Sequence, residues 1–393
     1  MPVPALLDVL LVLLLLVFLV YGYRSGLVRS LSGIVGMVAG GIAAFFVVPL
    51  LGAWVPSPEW RTPATLAAAI VLVLAGLSLG ASVGYALRRQ VDRIKLRVVD
   101  RALGAALTTV AAALIASMLA FTIGALGVPM LTTAIASSTV IRTIDALTPT
   151  QVRGFLAEVR SIAVDEGIPS IVEAFQGPTP EIPNVTTDSP ELTEAARSVV
   201  RITGNAYSCG QNQSGSGFVV APGRVVTNAH VVAGVTVPVV EAPGLGALPG
   251  RVVYFDPIDD LAVIAVDALT AAPLERGPNL GVGTAAVSSG HPFGGPFDSD
   301  AAEVISVGPL NVADIYGNNP TSRQVYTLAS DVQVGESGGP LLSESGVLAG
   351  VIFAKSATTD KVGYALAMDE VEPVAVLAPS LESAVSSGAC TTS

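Results

Sequence analysis

Cysteine and histidine are scarce in this sequence of 393 residues, with only two of each. The cysteines are Cys209 and Cys390, and the histidines are His230 and His291. Structural zinc and iron–sulfur sites are built from sets of such side chains, and four in total are too few for that framework. We therefore expect no metal site, and no motif in the sequence indicates another cofactor.

Charged side chains are also scarce, at 13% of the residues, whereas a typical soluble domain has about 25%. Hydrophobic side chains make up 51%, and the mean hydropathy is +0.66. This composition excludes a wholly water-soluble protein, so part of the chain must lie in lipid. Residues 177–393 contain 8 Lys and Arg against 22 Asp and Glu, and such an acidic half excludes nucleic acid as a partner.

Four apolar stretches precede residue 127, and each approaches the roughly 20 residues that a membrane-spanning helix requires. No Lys or Arg precedes the first stretch and three more follow it, which favours a membrane helix over a signal peptide. We predict an all-α transmembrane four-helix domain over residues 1–127, in contact with membrane lipid. The stretches are Leu6–Val20, Leu31–Leu51, Leu66–Leu87 and Leu103–Leu126.

Basic residues concentrate in the first and third predicted loops. The first contains Arg24 and Arg29, and the third contains six between Arg88 and Arg101. Because loops rich in Lys and Arg stay on the cytoplasmic side, we predict that both chain termini lie outside the cytoplasm.

Glycine recurs at a spacing of four in the second and third stretches. Gly36 and Gly40 form one such step, and Gly76, Gly80 and Gly84 form two more. This spacing allows close helix approach, and we expect packing within the four-helix bundle, with dimerisation as the alternative. In its hydropathy and glycine content the region resembles the CvpA (colicin V production) family of small membrane proteins.

The chain changes character after residue 127. Residues 128–176 show apolar side chains at helical spacing, which predicts an amphipathic helical connector. Residues 177–190 contain four prolines and no apolar period, which predicts an extended linker. Residues 191–393 show many short Val- and Ile-rich runs broken by Gly, Pro and Asn, which predicts an all-β domain of two barrels.

Three segments of the β-rich domain bring the side chains that acyl transfer by serine requires. Thr227-Asn-Ala-His230 places a histidine directly after an apolar run, and Asp256-Pro-Ile-Asp-Asp260 ends in a carboxylate before another. Gly335-Glu-Ser337-Gly-Gly sets a serine in a glycine-flanked turn. The three segments supply a base, an orienting carboxylate and a nucleophilic hydroxyl in the order His, Asp, Ser. This order matches one known triad arrangement.

On these segments, residues 198–370 resemble the chymotrypsin-fold (trypsin-like) serine proteases, in particular the HtrA-type branch. The resemblance implies that His230 is the general base, Asp260 orients it and Ser337 is the nucleophile. It also implies an oxyanion hole from the backbone N–H groups of Gly335 and Ser337. A buried structural role for His230, and Asp259 in place of Asp260, are the alternatives.

The same resemblance implies a substrate pocket. Asp331, six residues before the serine, would lie at its base and favour Arg or Lys in the substrate. Phe353 and Lys355 match the strand that lines the pocket, and Lys355 would be able to neutralise Asp331. His291 is expected to be structural, and Glu336 departs from the Asp or Asn usual before the serine.

The two cysteines lie near the ends of the β-rich domain. Outside the cytoplasm two cysteines in one domain usually pair, so we expect a Cys209–Cys390 disulfide, with two free thiols as the alternative. Loop closure of this length would stabilise the fold by up to about 5 kcal/mol.

About 25 residues follow Met368, too few for the peptide-binding domain typical of HtrA proteases. Four spans, a proline linker, a protease domain and two end-placed cysteines together resemble the mycobacterial and actinobacterial acid-resistance periplasmic proteases. This implies a membrane-anchored endopeptidase that acts in acid and oxidative stress on envelope proteins, cell-wall hydrolases among them. The alternatives are a non-catalytic scaffold or sensor that binds peptides, and a CvpA-like export protein.

Overall fold

The computed structural model describes residues 3–391 apart from 55–57, 92–96, 126–133, 136–137, 150, 153–154, 157–168, 172–174, 176 and 207–210. The chain divides into two compact units. One contains residues 5–117, and the other contains residues 118–393 with the first four residues.

The first unit consists of helices joined by short connections, as far as its residues are described. Each predicted apolar stretch, apart from Leu126 outside the described residues, lies in a helix long and apolar enough to cross a membrane, which confirms four such helices. The helices are α1 Val3–Ser25, α2 Leu27–Trp54, α3 Pro58–Val91 and α4 Arg97–Ala125.

Glycine permits the closest helix contacts in this unit. A Cβ atom on Gly36 of α2 would lie 2.2 Å from the carbonyl oxygen of Gly76 on α3. Gly22 of α1 and Gly104 of α4 permit a similarly close approach of their two helices. Beside them Thr108 Oγ1 donates to the carbonyl of Phe18 at 2.9 Å. The glycine steps therefore serve packing within the bundle, as expected.

The second unit begins with the connector. Helix α5, Thr139–Leu147, begins after Ser138, whose side chain accepts from the Ile141 N–H. Residues 157–168 of the predicted amphipathic segment lie outside the described residues. Strand β1, Ser170–Ile171, follows, and then an extended linker runs to Ser189, which caps helix α6, Pro190–Ala196.

The first β-sheet has seven strands in the order β6-β5-β2-β3-β4-β8-β7. Its edge strands β6 and β7 are joined through Gly250 alone, so the two edges of the sheet meet covalently. Its members are β2 Val199–Ala206, β3 Gln211–Ala221, β4 Arg224–Thr227, β5 Val239–Ala242, β6 Gly246–Pro249, β7 Arg251–Asp256 and β8 Leu261–Ala265. The four-residue helix α7, Ala229–Val232, follows β4.

The second sheet follows the order β1-β13-β12-β9-β10-β11-β14, and β13 also pairs with β14, which closes six strands into a barrel. Helix α8, Met368–Leu377, packs against it. The strands are β9 Ala285–Gly290, β10 Asp298–Val312, β11 Thr321–Ala329, β12 Pro340–Ser343, β13 Leu348–Ser356 and β14 Val362–Ala367. The predicted all-β, chymotrypsin-like architecture is confirmed.

A shared hydrophobic core joins the two sheets. Strands β3, β4 and β8 of the first sheet and β9, β12, β13 and β14 of the second contribute to it, together with α8. β-Branched and aromatic side chains suit such half-buried strands. Burial of this core holds the two sheets against each other. Its members include Phe218, Val226, Leu261, Val263, Val287, Leu342, Phe353, Tyr364, Val371 and Val374.

We predict opposite effects for alanine at two glycines of the membrane unit. In Gly76→Ala the new Cβ would lie 2.2 Å from the Gly36 oxygen, and overpacking of this kind costs about 1–3 kcal/mol. In the control Gly41→Ala the Cβ meets no atom within 4 Å, so helix propensity stabilises by roughly 0.5–1 kcal/mol. Thermal unfolding of the full chain in detergent measures both, and equal shifts would contradict the packing role.

Candidate active site

His230 lies in α7, directly after strand β4 and between the two sheets. Its side chain is buried, and its Nδ1 lies 2.8 Å from Asp260 Oδ2. Its backbone N–H donates to Asp260 Oδ1 at 2.9 Å. One carboxylate therefore holds both the backbone and the ring of His230. With Nδ1 engaged as a donor, Nε2 is left to accept a proton.

Asp260 owes its position to a tight turn before β8. Asp256 Oδ1 accepts from the N–H groups of Ile258 and Asp259, and the turn ends with Asp260 at φ +56°, in the left-handed region. Asp and Asn adopt this conformation more readily than most residues. The Asn228 amide donates to the Asp260 carbonyl at 2.8 Å and fixes the turn against α7.

Asp259, the alternative carboxylate, has a different environment. Burial and the neighbouring Asp256 raise its pKa, whereas Arg323 lowers it. No hydrogen bond joins it to His230 among the described residues. The structure therefore brings Asp260, and not Asp259, to the histidine.

Ser337 lies in the turn between β11 and β12, and glycine conformation shapes that turn. Gly335 has φ +92° and Gly338 has φ +83°. A Cβ on Gly338 would lie 2.2 Å from Thr227 Oγ1 and 3.0 Å from the Asn228 nitrogen, so the turn packs against the segment that leads to His230. Only glycine permits this approach.

Ser216 of β3 anchors the serine turn to the first sheet. Its N–H donates to the carbonyl of Ser337 at 2.8 Å, and its hydroxyl donates to the carbonyl of Gly335 at 2.7 Å. The same hydroxyl accepts from the N–H of His291 at 2.8 Å. Thr227 Oγ1 in turn donates to the Ser216 carbonyl at 2.7 Å. Sequence reasoning missed Ser216 and Thr227, because only the folded crossing of the sheets reveals their contacts.

With those carbonyls fixed, the N–H groups of Gly335 and Ser337 donate to no acceptor in the described part of the chain. Two unused donors beside a serine hydroxyl are the arrangement that stabilises a tetrahedral oxyanion. Ser337 Oγ and His230 Nε2 are both buried, and neither makes a hydrogen bond within the described residues. The hydrogen bond between a catalytic serine and its base is often long without substrate and tightens only when substrate binds.

The three residues of the predicted substrate pocket have different surroundings. Asp331 is exposed and accepts from the side chain of Gln333 at 2.8 Å. Phe353 is buried in the core between the sheets. Lys355 is half-buried, and its N–H donates to the carbonyl of Pro169, beside the pairing of β1 with β13. No ion pair joins Lys355 to Asp331 in the part of the chain that the structure describes.

His291 follows β9 in a short turn that supports the serine turn. Its Nδ1 lies 3.0 Å from the Gly295 carbonyl oxygen. Burial, together with the charge of Arg201, lowers the pKa of His291 to about 3, so the ring is neutral in all but strong acid. A Cβ on Gly335 would lie 2.5 Å from the His291 oxygen, so the two turns are in direct contact.

Glu336, which departs from the expected motif, is buried beneath the serine turn with 1% of its surface exposed. Its Oε2 accepts from the Gln333 N–H at 2.9 Å. Burial and the charge of Asp300 raise the pKa of Glu336 well above its usual range.

Cys390 carries no free thiol. Cys209 lies outside the described residues, so its pairing with Cys390 stays a prediction. No group of three or more His, Cys, Asp and Glu side chains is arranged for a metal ion within the described ranges.

Two protein-family models match this chain. The Colicin V production protein family matches residues 7–149, which include the four apolar helices. The trypsin-like peptidase domain matches residues 215–351, which include His230, Asp260 and Ser337.

Individual proteins extend the likeness. Serine protease Rv3671c of Mycobacterium tuberculosis is 30% identical over 376 residues, which are 93% of this chain and 94% of that protein. The crystal structure of the Rv3671c protease in its active form is 35% identical with a TM-score of 0.51, and it covers 57% of this chain and 100% of the solved chain. Putative serine protease HhoA of Synechocystis is 33% identical over 167 residues, 41% of each chain. Similarity to Rv3671c therefore extends over both units.

The contacts of His230 predict different effects for two neighbouring substitutions. Asp260→Asn removes the charge that orients the imidazole while Asn tolerates the left-handed backbone, so we expect peptide hydrolysis to fall roughly 10⁴-fold. Asp259→Asn is the matched control and should change the rate less than threefold. Hydrolysis rates of the two purified variants test this, and a loss confined to Asp259→Asn would reverse the assignment.

Proposed function

We propose that His230, Asp260 and Ser337 carry out catalysis in this chain, which belongs to the family of the mycobacterial serine protease Rv3671c (MarP). The chain is a serine endopeptidase of the HtrA and MarP type, with N-terminal helices apolar enough to span a membrane. The observation that carries the proposal is the double contact of Asp260 with the ring and the backbone of His230.

In the proposed reaction, Ser337 Oγ attacks the carbonyl carbon of the scissile peptide bond while His230 Nε2 takes the hydroxyl proton. The N–H groups of Gly335 and Ser337 stabilise the negative oxygen that forms. Asp260 stabilises the imidazolium, which then protonates the leaving amine. Water then attacks the acyl ester on Ser337 while His230 Nε2 takes its proton. His230 returns that proton to Ser337 Oγ as the acyl group is released.

Substrate binding is expected to complete the site. Ser337 Oγ and His230 Nε2 are both desolvated before substrate arrives, and a hydrogen bond between them would satisfy both. A peptide carbonyl between the two free N–H groups would hold the serine turn in place while this bond forms. The exposed carboxylate of Asp331, which Lys355 leaves unpaired, supports a preference for Arg or Lys before the cleaved bond.

We assign the protease domain to the extracytoplasmic side of the plasma membrane. The basic residues of the first and third helix connections support this orientation, since Lys and Arg are retained in the cytoplasm. Substrates would then be envelope proteins, cell-wall hydrolases among them, and the physiological role would be resistance to acid and oxidative stress. Among the residues that the structure describes, no contact favours the scaffold or the export alternative.

Covalent labelling of the full chain in detergent tests the catalytic proposal. Wild type should react with a fluorophosphonate probe and cleave peptides, whereas Ser337→Ala should do neither. The control Ser345→Ala removes an exposed hydroxyl eight residues away and should react as wild type does. Failure of well-folded wild type to react would favour the scaffold alternative. A cellular phenotype that survives Ser337→Ala would favour the export alternative.

The proposed Cys209–Cys390 bond predicts thiol behaviour. Intact protein unfolded without reductant should take up no alkylating reagent, and after reduction it should take up two equivalents. Reduction should lower the melting temperature, because the cross-link contributes up to about 5 kcal/mol. Mass spectrometry of the alkylated chain measures this, and two equivalents without reduction would rule the bond out.

A further inference from the structure

One edge of strand β13 begins at the serine turn. The Gly338 N–H donates to the Ile352 carbonyl at 2.8 Å, and the Ile352 N–H donates to the Gly339 carbonyl at 2.9 Å. Beyond Ile352 the strand continues to Ser356. Because a strand edge binds extended peptides through backbone hydrogen bonds, a peptide whose scissile carbonyl reaches Ser337 would lie along this edge.

Strand β1 occupies the same edge. The Lys355 N–H donates to the carbonyl of Pro169 at 3.1 Å, and the Ala357 N–H donates to that of Ile171 at 3.1 Å. Strand β14 pairs with β13 from Gly350 to Lys355, so β1 must lie on the other side, which is the side of β12 and the serine turn. The strand β1 therefore covers the part of β13 that a substrate would need.

The direction of β1 keeps it from being cleaved. It runs parallel to β13, so the chain leads away from the serine turn between Pro169 and Ile171. The Pro169 carbonyl meets Lys355, which is three residues, or roughly 10 Å, along β13 from Ile352. Ser337 acts beside Ile352, so the carbonyls of β1 do not reach it. The strand covers the edge without becoming a substrate.

β1 is also separate from the barrel. Strands β9 to β14 close the barrel without it, so β1 can leave while the barrel stays intact. A strand of two residues forms few hydrogen bonds, and a longer peptide would form more. The side chain of Ile171 packs against the core between the sheets, as do those of Phe175 and Val185 further along the chain. These contacts keep β1 near the edge of β13 at a high effective concentration.

We propose that Pro169–Ile171 is an autoinhibitory strand, which competes with an extended substrate for the edge of β13. The inference rests on the proposed function and adds a means of regulating it. Only the fraction of chains in which β1 has left the edge binds substrate, so the strand raises the apparent KM. The chemistry at Ser337 is the same in both fractions.

Ile171→Pro tests the proposal in the full chain in detergent. Proline has no N–H and is not accepted on the hydrogen-bonded side of a strand, so β1 should leave the edge. With unfolded casein as substrate, KM should fall at least about fivefold while kcat changes less than roughly twofold. The fluorophosphonate labelling rate should also stay within roughly twofold, because the probe needs Ser337 but not the edge of β13.

Two further variants support this test. Ile171→Asp retains the N–H but places a charge against the core, so it should lower KM as Ile171→Pro does. Ser170→Pro is the matched control. Because the carbonyls on both sides of Ser170 point to β13, its own N–H points away, where proline is tolerated. It should keep the wild-type KM. An unchanged or higher KM in both Ile171 variants would overturn the proposal.

A binding measurement separates this proposal from the proposed function. Fluorescent casein peptides should bind Ser337→Ala with a Kd at least about fivefold lower when Ile171→Pro is added, and this requires no catalysis. A well-folded wild type that fails to label, together with this fall in Kd, would contradict the catalytic proposal and support the autoinhibitory strand. Equal Kd values would overturn the autoinhibitory strand, whether or not wild type labels.

Discussion

The hydrogen bonds of Ser216 are the interaction on which the site depends. Through its backbone and its hydroxyl, this one residue of β3 holds the carbonyls of Ser337 and Gly335 and the N–H of His291. Thr227, two residues before the histidine helix, holds the Ser216 carbonyl. The nucleophile and the base thus come from different sheets yet share one buried polar network, and the hydrophobic core beside it prevents the sheets from sliding.

Sequence alone predicted the architecture well because its signals are local. Apolar runs of sufficient length predicted the four helices, and the Val-rich run at 261–266 matches strand β8, Leu261–Ala265. Helix α8, Met368–Leu377, continues through Pro373, although proline usually breaks a helix. Burial of Val371 and Val374 against the second sheet outweighs the helix-breaking tendency of Pro373.

Only part of the candidate site could be predicted from the sequence. Motif order brought out His230, Asp260 and Ser337, but the choice between Asp259 and Asp260 depends on a left-handed backbone that places one carboxylate under the histidine. Glu336 stood out only as a departure from a pattern. Asp300, whose charge raises the pKa of Glu336, lies 36 residues away on strand β10, so no spacing rule connects the two residues.

The half-buried His291 and the carboxyl group of Asp300 place opposite proton linkages near the serine turn. Because the pKa of His291 falls to about 3, the unfolded chain gains a proton there below pH 6.5 that the fold refuses, and acidification weakens the fold. Over the range from about pH 4 to 6 Asp300 does the reverse, since the fold keeps a proton on its carboxyl group that the unfolded chain releases. The two effects oppose each other, so acidification changes the difference in bound protons between the unfolded and the folded chain less than His291 alone would. Asp300 therefore offsets part of the stability that the fold loses in acid through His291.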